Sequence, residues 1–194
     1  MNKSRLEAFS DGVLAIIITI MVLELKVPKS SDWIELQKLI PVFLSYITSF
    51  LYIGIYWGNH HHLLHSVKQI SSGMILANLN LLFWLSLIPF ATGWMGENHF
   101  AANTIAVYGI ILWLAGLAFF ILQKTVERNS HDIAALKKAF LTLNKKGVVS
   151  QAGYLASVPL AYIHPAISGV LYLILAVVWL IPDKNIEKAL REKQ

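Results

Sequence analysis

The chain contains no cysteine, which excludes a disulfide framework, a thiolate nucleophile and a thiolate metal centre. Charge is scarce too. Of its 194 residues only 14% are Asp, Glu, Lys or Arg, against about 25% in a soluble domain. Proline occurs at only 6 positions, and no Pro-, Gly- or Ser-rich stretch divides the chain. One domain over residues 1–194 is therefore expected, without an internal repeat. The polar residues inside apolar segments are few and scattered. They do not gather at one depth as a membrane-embedded active site requires, so the chain is not expected to be an enzyme or to carry a cofactor.

What the chain has in abundance is apolar sequence. Hydrophobic residues make up 56% of it, and the mean hydropathy is +0.59. They fall in long blocks near 5–26, 36–59, 69–94, 101–123, 148–164 and 165–182. About 20 apolar residues cross the hydrocarbon core as a helix, so an all-α membrane protein with six transmembrane helices is expected. With both termini placed inside, 13 of the 16 Lys and Arg residues fall in inner segments. Only Lys26, Lys29 and Lys38 fall outside. That asymmetry fits the positive-inside rule and predicts a multi-pass protein of the cell membrane with cytoplasmic termini. It also explains the net charge of +5 without a nucleic-acid partner. The first apolar run is not expected to be a cleaved leader, because its charges reach Asp11 and no small-residue cleavage site closes it.

Local signals refine the spans. Ser4 with Glu7 forms a capping-box pattern, predicting a first helix that starts at Ser4 and stops at Lys26, before Val27-Pro28. Asp32 is placed to cap the next element. The second span exits at Trp57 to His62. The third carries Asn78 and Asn80 and breaks at Pro89. The fourth runs from Asn103 to Gln123. Between 130 and 146 an apolar stripe of Ile133, Leu136, Phe140 and Leu143 lies among lysines, predicting an amphipathic surface helix capped by Ser130 and ended by Gly147. The last two spans form a hairpin at His164-Pro165, followed by a charged cytosolic tail over 183–194. Trp33, Trp94 and Trp179 near span ends read as interface anchors.

The first helix concentrates the chemistry. Ionisable groups inside a membrane segment are rare and mark functional sites, and here Arg5 and Asp11 stand at its entrance. Six residues apart, they lie about 120° around the helix and cannot pair within it. Each needs a partner on another helix or another subunit, since an unpaired buried charge is costly. Trp57, Asn59, His60, Asn78 and Asn80 are the candidates. Phe9, Gly12, Ile16, Thr19, Ile20 and Leu23 share one face of the same helix. A stripe of that kind is what ordinary packing also produces, so it does not identify a pore by itself.

The segment Arg5-x-x-x-Phe9-Ser10-Asp11 resembles the signature of the transmembrane protein 175 family, the lysosomal potassium channels and their small prokaryotic relatives. Ala15-Ile16-x-x-Thr19 to Leu25, Trp57-x-x-His60-His61 and Asn78-Leu79-x-Leu81-Leu82 to Pro89-Phe90 are similar as well. The likeness covers the whole six-span chain. Channels with a Thr-Val-Gly-Tyr-Gly filter are excluded as relatives, since no such loop occurs. The resemblance implies a homotetramer with a central pore lined by helix 1. It implies a constriction at Ile16, with Thr19, Ile20 and Leu23 as the pore positions that follow. It implies that Arg5, Phe9, Ser10 and Asp11, with Trp57 and His60, hold helix 1 to its neighbours. Potassium would pass transiently through the bilayer, with no resident metal. A ring of Ile16 side chains would gate by dewetting, and the Thr19 hydroxyl could partly replace hydration water.

Other readings stay open. A secondary ion transporter is the alternative, though transporters tend to show repeats. In His60-His61-His62 with His65, His61 and His65 sit one turn apart and could share a metal, but no carboxylate or cysteine stands nearby. An interfacial cluster able to titrate near pH 6.5 is the plainer reading. Glu24 is either a solvated end charge or part of a cation-attracting ring at a pore mouth.

Overall fold

The computed structural model describes residues 2–67, 69–129 and 133–180, with the backbone alone over 133–143. The described residues hold helices and no strand: α1 Lys3–Leu23, α2 Trp33–Gln37, α3 Ile40–His65, α4 Ser72–Ser86, α5 Ile88–Glu97, α6 Ala102–Asn129, α7 Ile133–Ile163 and α8 Pro165–Leu180. Four segments are long and apolar enough to cross a membrane: α1, α3, α4 with α5, and α6. The remaining two expected spans fall on the apolar second half of α7 and on the 16-residue α8. The expected tail lies outside the described residues, as do Ser130 and the side chains of the amphipathic stripe.

Several boundaries differ from the sequence reading, each for a local reason. Helix α1 is capped by Asn2, not Ser4. The Asn2 side chain accepts from the Ser4 amide at 3.3 Å, a role short polar side chains fill well. Ser4 thereby lies inside the helix, and Glu7 faces Lys3 at 3.9 Å. At the other end α1 stops at Leu23 rather than Lys26. Its last turn tightens, with the Leu25 amide on the Val22 carbonyl at 3.2 Å, and Lys26 leaves the helix to pair with Glu97 of α5.

Helix α3 continues past residue 59 to His65, so the histidine run is helical. Asp32 stands at the N-cap of α2 but makes no side-chain cap bond. The break expected at Pro89 is present, with Pro89 in the first turn of α5. Proline lacks an N–H and its ring clashes with the carbonyl four residues back, so the helix is interrupted at Leu87. The surface helix expected to end at Gly147 does not end there. Helix α7 runs through Gly147 for 31 residues. No described glycine has a positive φ, so Gly147 cannot form a left-handed C-cap. Within a helix it costs only about 1 kcal/mol.

The core is tied together by hydroxyl groups. Membrane helices have little hydrophobic drive to associate, so small residues and interhelical hydrogen bonds matter more. Ser49 of α3 bonds Thr92 of α5 at 2.6 Å and Tyr108 of α6 at 2.9 Å. The Tyr52 hydroxyl donates to the Tyr172 carbonyl at 2.8 Å, and the Tyr172 hydroxyl to the Ile105 carbonyl at 2.9 Å. Gly109 makes room for this: a Cβ there would overlap the Tyr172 hydroxyl and lie 2.7 Å from Ser157 Oγ. These bonds bind α3, α5, α6 and α8 into a frame on which α1 rests.

Candidate functional site

Helix α1 packs on α3, α4 and α5 through one stripe only. Leu6, Ser10, Leu14, Ile17 and Met21 are buried at spacings of three and four residues, which keeps them on one helical face. The opposite face is bare within the subunit. Ile16 is 58% exposed and Leu23 80%, and Phe9, Thr19 and Ile20 are exposed beside them. Helix 1 is therefore apolar on both sides, with only one side covered.

Two anchors hold α1, a buried one at Ser10 and an exposed one at Asp11, and both come from the polar signature. The Ser10 hydroxyl is fully buried and donates to the Leu6 carbonyl at 2.9 Å. It accepts from Asn78 Nδ2 of α4, also at 2.9 Å. Asn78 Oδ1 in turn meets His60 Nε2 of α3 at 2.6 Å. Since Asn78 gives its amide protons to Ser10, its carbonyl oxygen faces His60, and Nε2 of the imidazole is the donor. A continuous hydrogen-bonded chain thus links α1, α4 and α3. One residue along, Asp11 Oδ1 accepts from Trp57 Nε1 at 3.0 Å. Trp57 and His60 lie three apart on α3, so the adjacent Ser10 and Asp11 are seized at a single level.

Of the partners considered for the charged residues, Trp57 alone reaches Asp11. Asn59 donates instead to the Ile55 carbonyl of its own helix at 2.8 Å. Asn80 has no side-chain bond among the described residues. Arg5 is exposed and has no partner among the described residues. His61 stacks on Trp57, with ring centres 6.2 Å apart, and stands the same distance from the His65 ring.

Three contacts were not foreseen from sequence. Asn78 is the hub of the relay, where it had been only one candidate among five. Lys3 Nζ donates to the His65 carbonyl at 3.1 Å, tying the start of α1 to the end of α3. Cations suit helix C-termini, yet nothing in sequence brings residues 62 positions apart together. Thr92 touches the Met21 sulfur at 3.9 Å.

At the far end of α1 a groove of about 610 Å3 opens against α5. Ile16, Ile20 and Glu24 form one wall, and Phe90, Trp94 and Glu97 the other. Glu24 lies over Gly93, its carboxylate 3.9 Å from the place a Cβ would take. The side-chain hydrogen bond from Lys26 to Glu97, and then their attraction, raise the lysine pKa above its ordinary value.

Comparison with known proteins agrees with this geometry. The family model described as "Endosomal/lysosomal potassium channel TMEM175" matches residues 5–89, from the signature arginine to the proline break. A potassium channel of Chryseobacterium sp. is 51% identical over 192 residues, covering 99% of this chain and 100% of its own. The endosomal/lysosomal proton channel TMEM175 of Mus musculus is 30% identical over 141 residues, 64% of this chain and 28% of the mouse protein. The crystal structure of a lysosomal potassium-selective channel TMEM175 homolog from Chamaesiphon minutus superposes with a TM-score of 0.82. It is 28% identical, covering 92% of this chain and 96% of that one. The helical frame, the anchored first helix and a near-full-length relative together place the chain, a multi-pass membrane protein, in the TMEM175 family.

Proposed function

We propose that the protein is a homotetrameric, potassium-permeable cation channel of the cell membrane, with α1 of each subunit lining a central pore. The observation that carries the reading is the bare apolar face of α1, held outward by the Ser10–Asn78–His60 relay and the Asp11–Trp57 bond. Six spans per subunit, counting the second half of α7 and α8, leave both termini in the cytoplasm. Ile16, Ile20 and Leu23 form successive apolar rings, and the Ile16 ring is the dry constriction. Thr19 gives its proton to the Ile16 carbonyl at 2.8 Å, so the lone pairs of its hydroxyl are free to meet a cation. Arg5, exposed and without a partner among the described residues, reaches the neighbouring subunit. Glu24, at the outer end of the groove, draws cations toward the mouth.

Purified protein in liposomes tests this. Voltage-driven potassium flux without a counter-ion is the expected result. The helix break at Leu87 is a feature secondary transporters share; flux that requires an opposing ion gradient would establish that reading instead. Current carried by protons alone would align the chain with the mouse relative's name.

A further inference from the structure

A second cavity borders a different stripe of α3 from the one that holds helix 1. It measures about 330 Å3 and is lined by α3, α6, α7 and α8, within the range of about 300–1,000 Å3 typical of small-molecule sites. Trp113, Leu117, Phe119, Phe120, Tyr154 and Trp179 give it aromatic and aliphatic walls. We propose that it binds a neutral amphiphile: an apolar body carrying one uncharged hydrogen-bonding group.

Three observations define that chemistry. First, two polar groups in the cavity are unused. The Gln151 amide and the Tyr56 hydroxyl converge on Gly116, where a Cβ would overlap Gln151 Nε2 and lie 3.6 Å from the tyrosine oxygen. Neither has a hydrogen-bond partner among the described residues. Other polar linings are engaged: Ser150 accepts from Trp179 at 2.8 Å, and Gln123 donates to Glu127 and Asn144. Both side chains are half-buried, and they meet at one spot of a mostly apolar cavity, where a single hydroxyl can both accept from the Gln151 amide and bond the Tyr56 oxygen.

Second, no Asp, Glu, Lys, Arg or His is among the described lining residues. Lys124 sits over the Phe120 ring but is paired with Glu127 at 2.6 Å. A charged head group would be stranded there. Third, Gly147 at the rim borders open space, with nothing within 4 Å of a Cβ added there. Neighbouring atoms do not require a glycine at this helical position, and its missing side chain leaves the cavity open.

The cavity also has leverage on helix 1. Tyr56 faces it, and the next residue, Trp57, bonds Asp11. Asn59 lines it, and the next residue, His60, anchors Ser10 through Asn78. An occupant pressing on this part of α3 acts on both anchors.

The test uses the full chain in liposomes and a photoreactive decyl alcohol, with labelled peptides identified by mass spectrometry. Labelling should concentrate on 113–123 and 147–154 and be displaced by decanol more than by decane or decanoate. Gly147→Leu should abolish the displaceable fraction. Gln151→Leu should weaken displacement by decanol about fivefold, the loss of one neutral hydrogen bond, and leave decane unchanged. Equal competition by decane, or even labelling of every lipid-facing helix, would overturn the site and reduce it to space for lipid tails. Stronger competition by decanoate would overturn its neutrality. Potassium flux in the same liposomes rests on the channel reading, which basal flux reports separately. Decanol should alter that flux in the parent protein and not in Gly147→Leu; flux indifferent to decanol would overturn the leverage on helix 1.

Discussion

Helices α1 and α6 are both apolar enough to cross a membrane, yet the subunit treats them differently. It buries 56% of the apolar window of α6 but only 28% of that of α1. Hydropathy measures what a helix can dissolve in, and it is blind to which neighbour covers each face. Helix α6 spends its apolar surface on α4 and α7, at the centre of the subunit. Helix α1 spends one stripe on α3, α4 and α5 and leaves Ile16, Ile20 and Leu23 uncovered. Both helices make interhelical hydrogen bonds, but α6 adds burial on several sides, whereas α1 has a single buried stripe and leans on its polar bonds more. A helix fixed that way can present an apolar face to water or ions without losing its position.

The largest expected effect breaks the polar side of the comparison. Asn78→Leu leaves the buried His60 N–H without its acceptor, at about 1–3 kcal/mol, and removes the donor to Ser10, about 1 kcal/mol more, although the Ser10 hydroxyl keeps the Leu6 carbonyl. Tyr108→Phe, in the α6 frame, removes one bond to Ser49 and costs about 1 kcal/mol. Denaturant unfolding in detergent compares the two, and equal losses would mean α1 is held no differently from α6. Next, Ile16→Asn should wet the constriction and raise potassium flux about tenfold, equivalent to ~1.4 kcal/mol off the permeation barrier. Unchanged flux would remove Ile16 from the narrow point.

Smaller still, Thr19→Val should lower the preference for potassium over sodium about fivefold, the worth of one neutral hydrogen bond, read from reversal potentials. Unchanged selectivity would leave Thr19 without an ion contact. The smallest effect concerns the exposed Lys26–Glu97 pair at the outer end of α1. The folded lysine pKa is raised above 10.5, so the pair's contribution is complete below that value and fades as pH rises through the higher folded value. Lys26→Gln should flatten that alkaline slope in thermal melts. A slope of the same size in the variant would assign it elsewhere.

Much of this was legible in the sequence. Ser10 and Asp11 stand out because polar and ionisable groups are rare in apolar runs, and Pro89 marks the break because proline cannot continue a helix. Arg5 stands out in the same way, yet it meets no partner among the described residues. What was not legible depends on how helices meet. Asn78 becomes the hub only once α4 turns it toward both α1 and α3, and no local pattern fixes that rotation. The join between Lys3 and His65 needs the lengths of both helices. Gly147 looked like a stop because glycine often caps helices, but a cap needs left-handed backbone that this helix does not adopt. Asn2 outranked Ser4 because either can cap, and geometry chose between them.

The absence of cysteine allows the most direct test of the claim that helix 1 meets the ion. Ile16→Cys places a single thiol on the bare face of α1, and Ile110→Cys places one on an exposed position of α6. Silver ions, monovalent cations that bind thiolate, are added as the nitrate to potassium-conducting liposomes of each. Irreversible loss of flux in Ile16→Cys, with Ile110→Cys and the parent unaffected, is the predicted result. Full flux retained in Ile16→Cys after silver treatment would contradict the assignment of helix 1 to the pore.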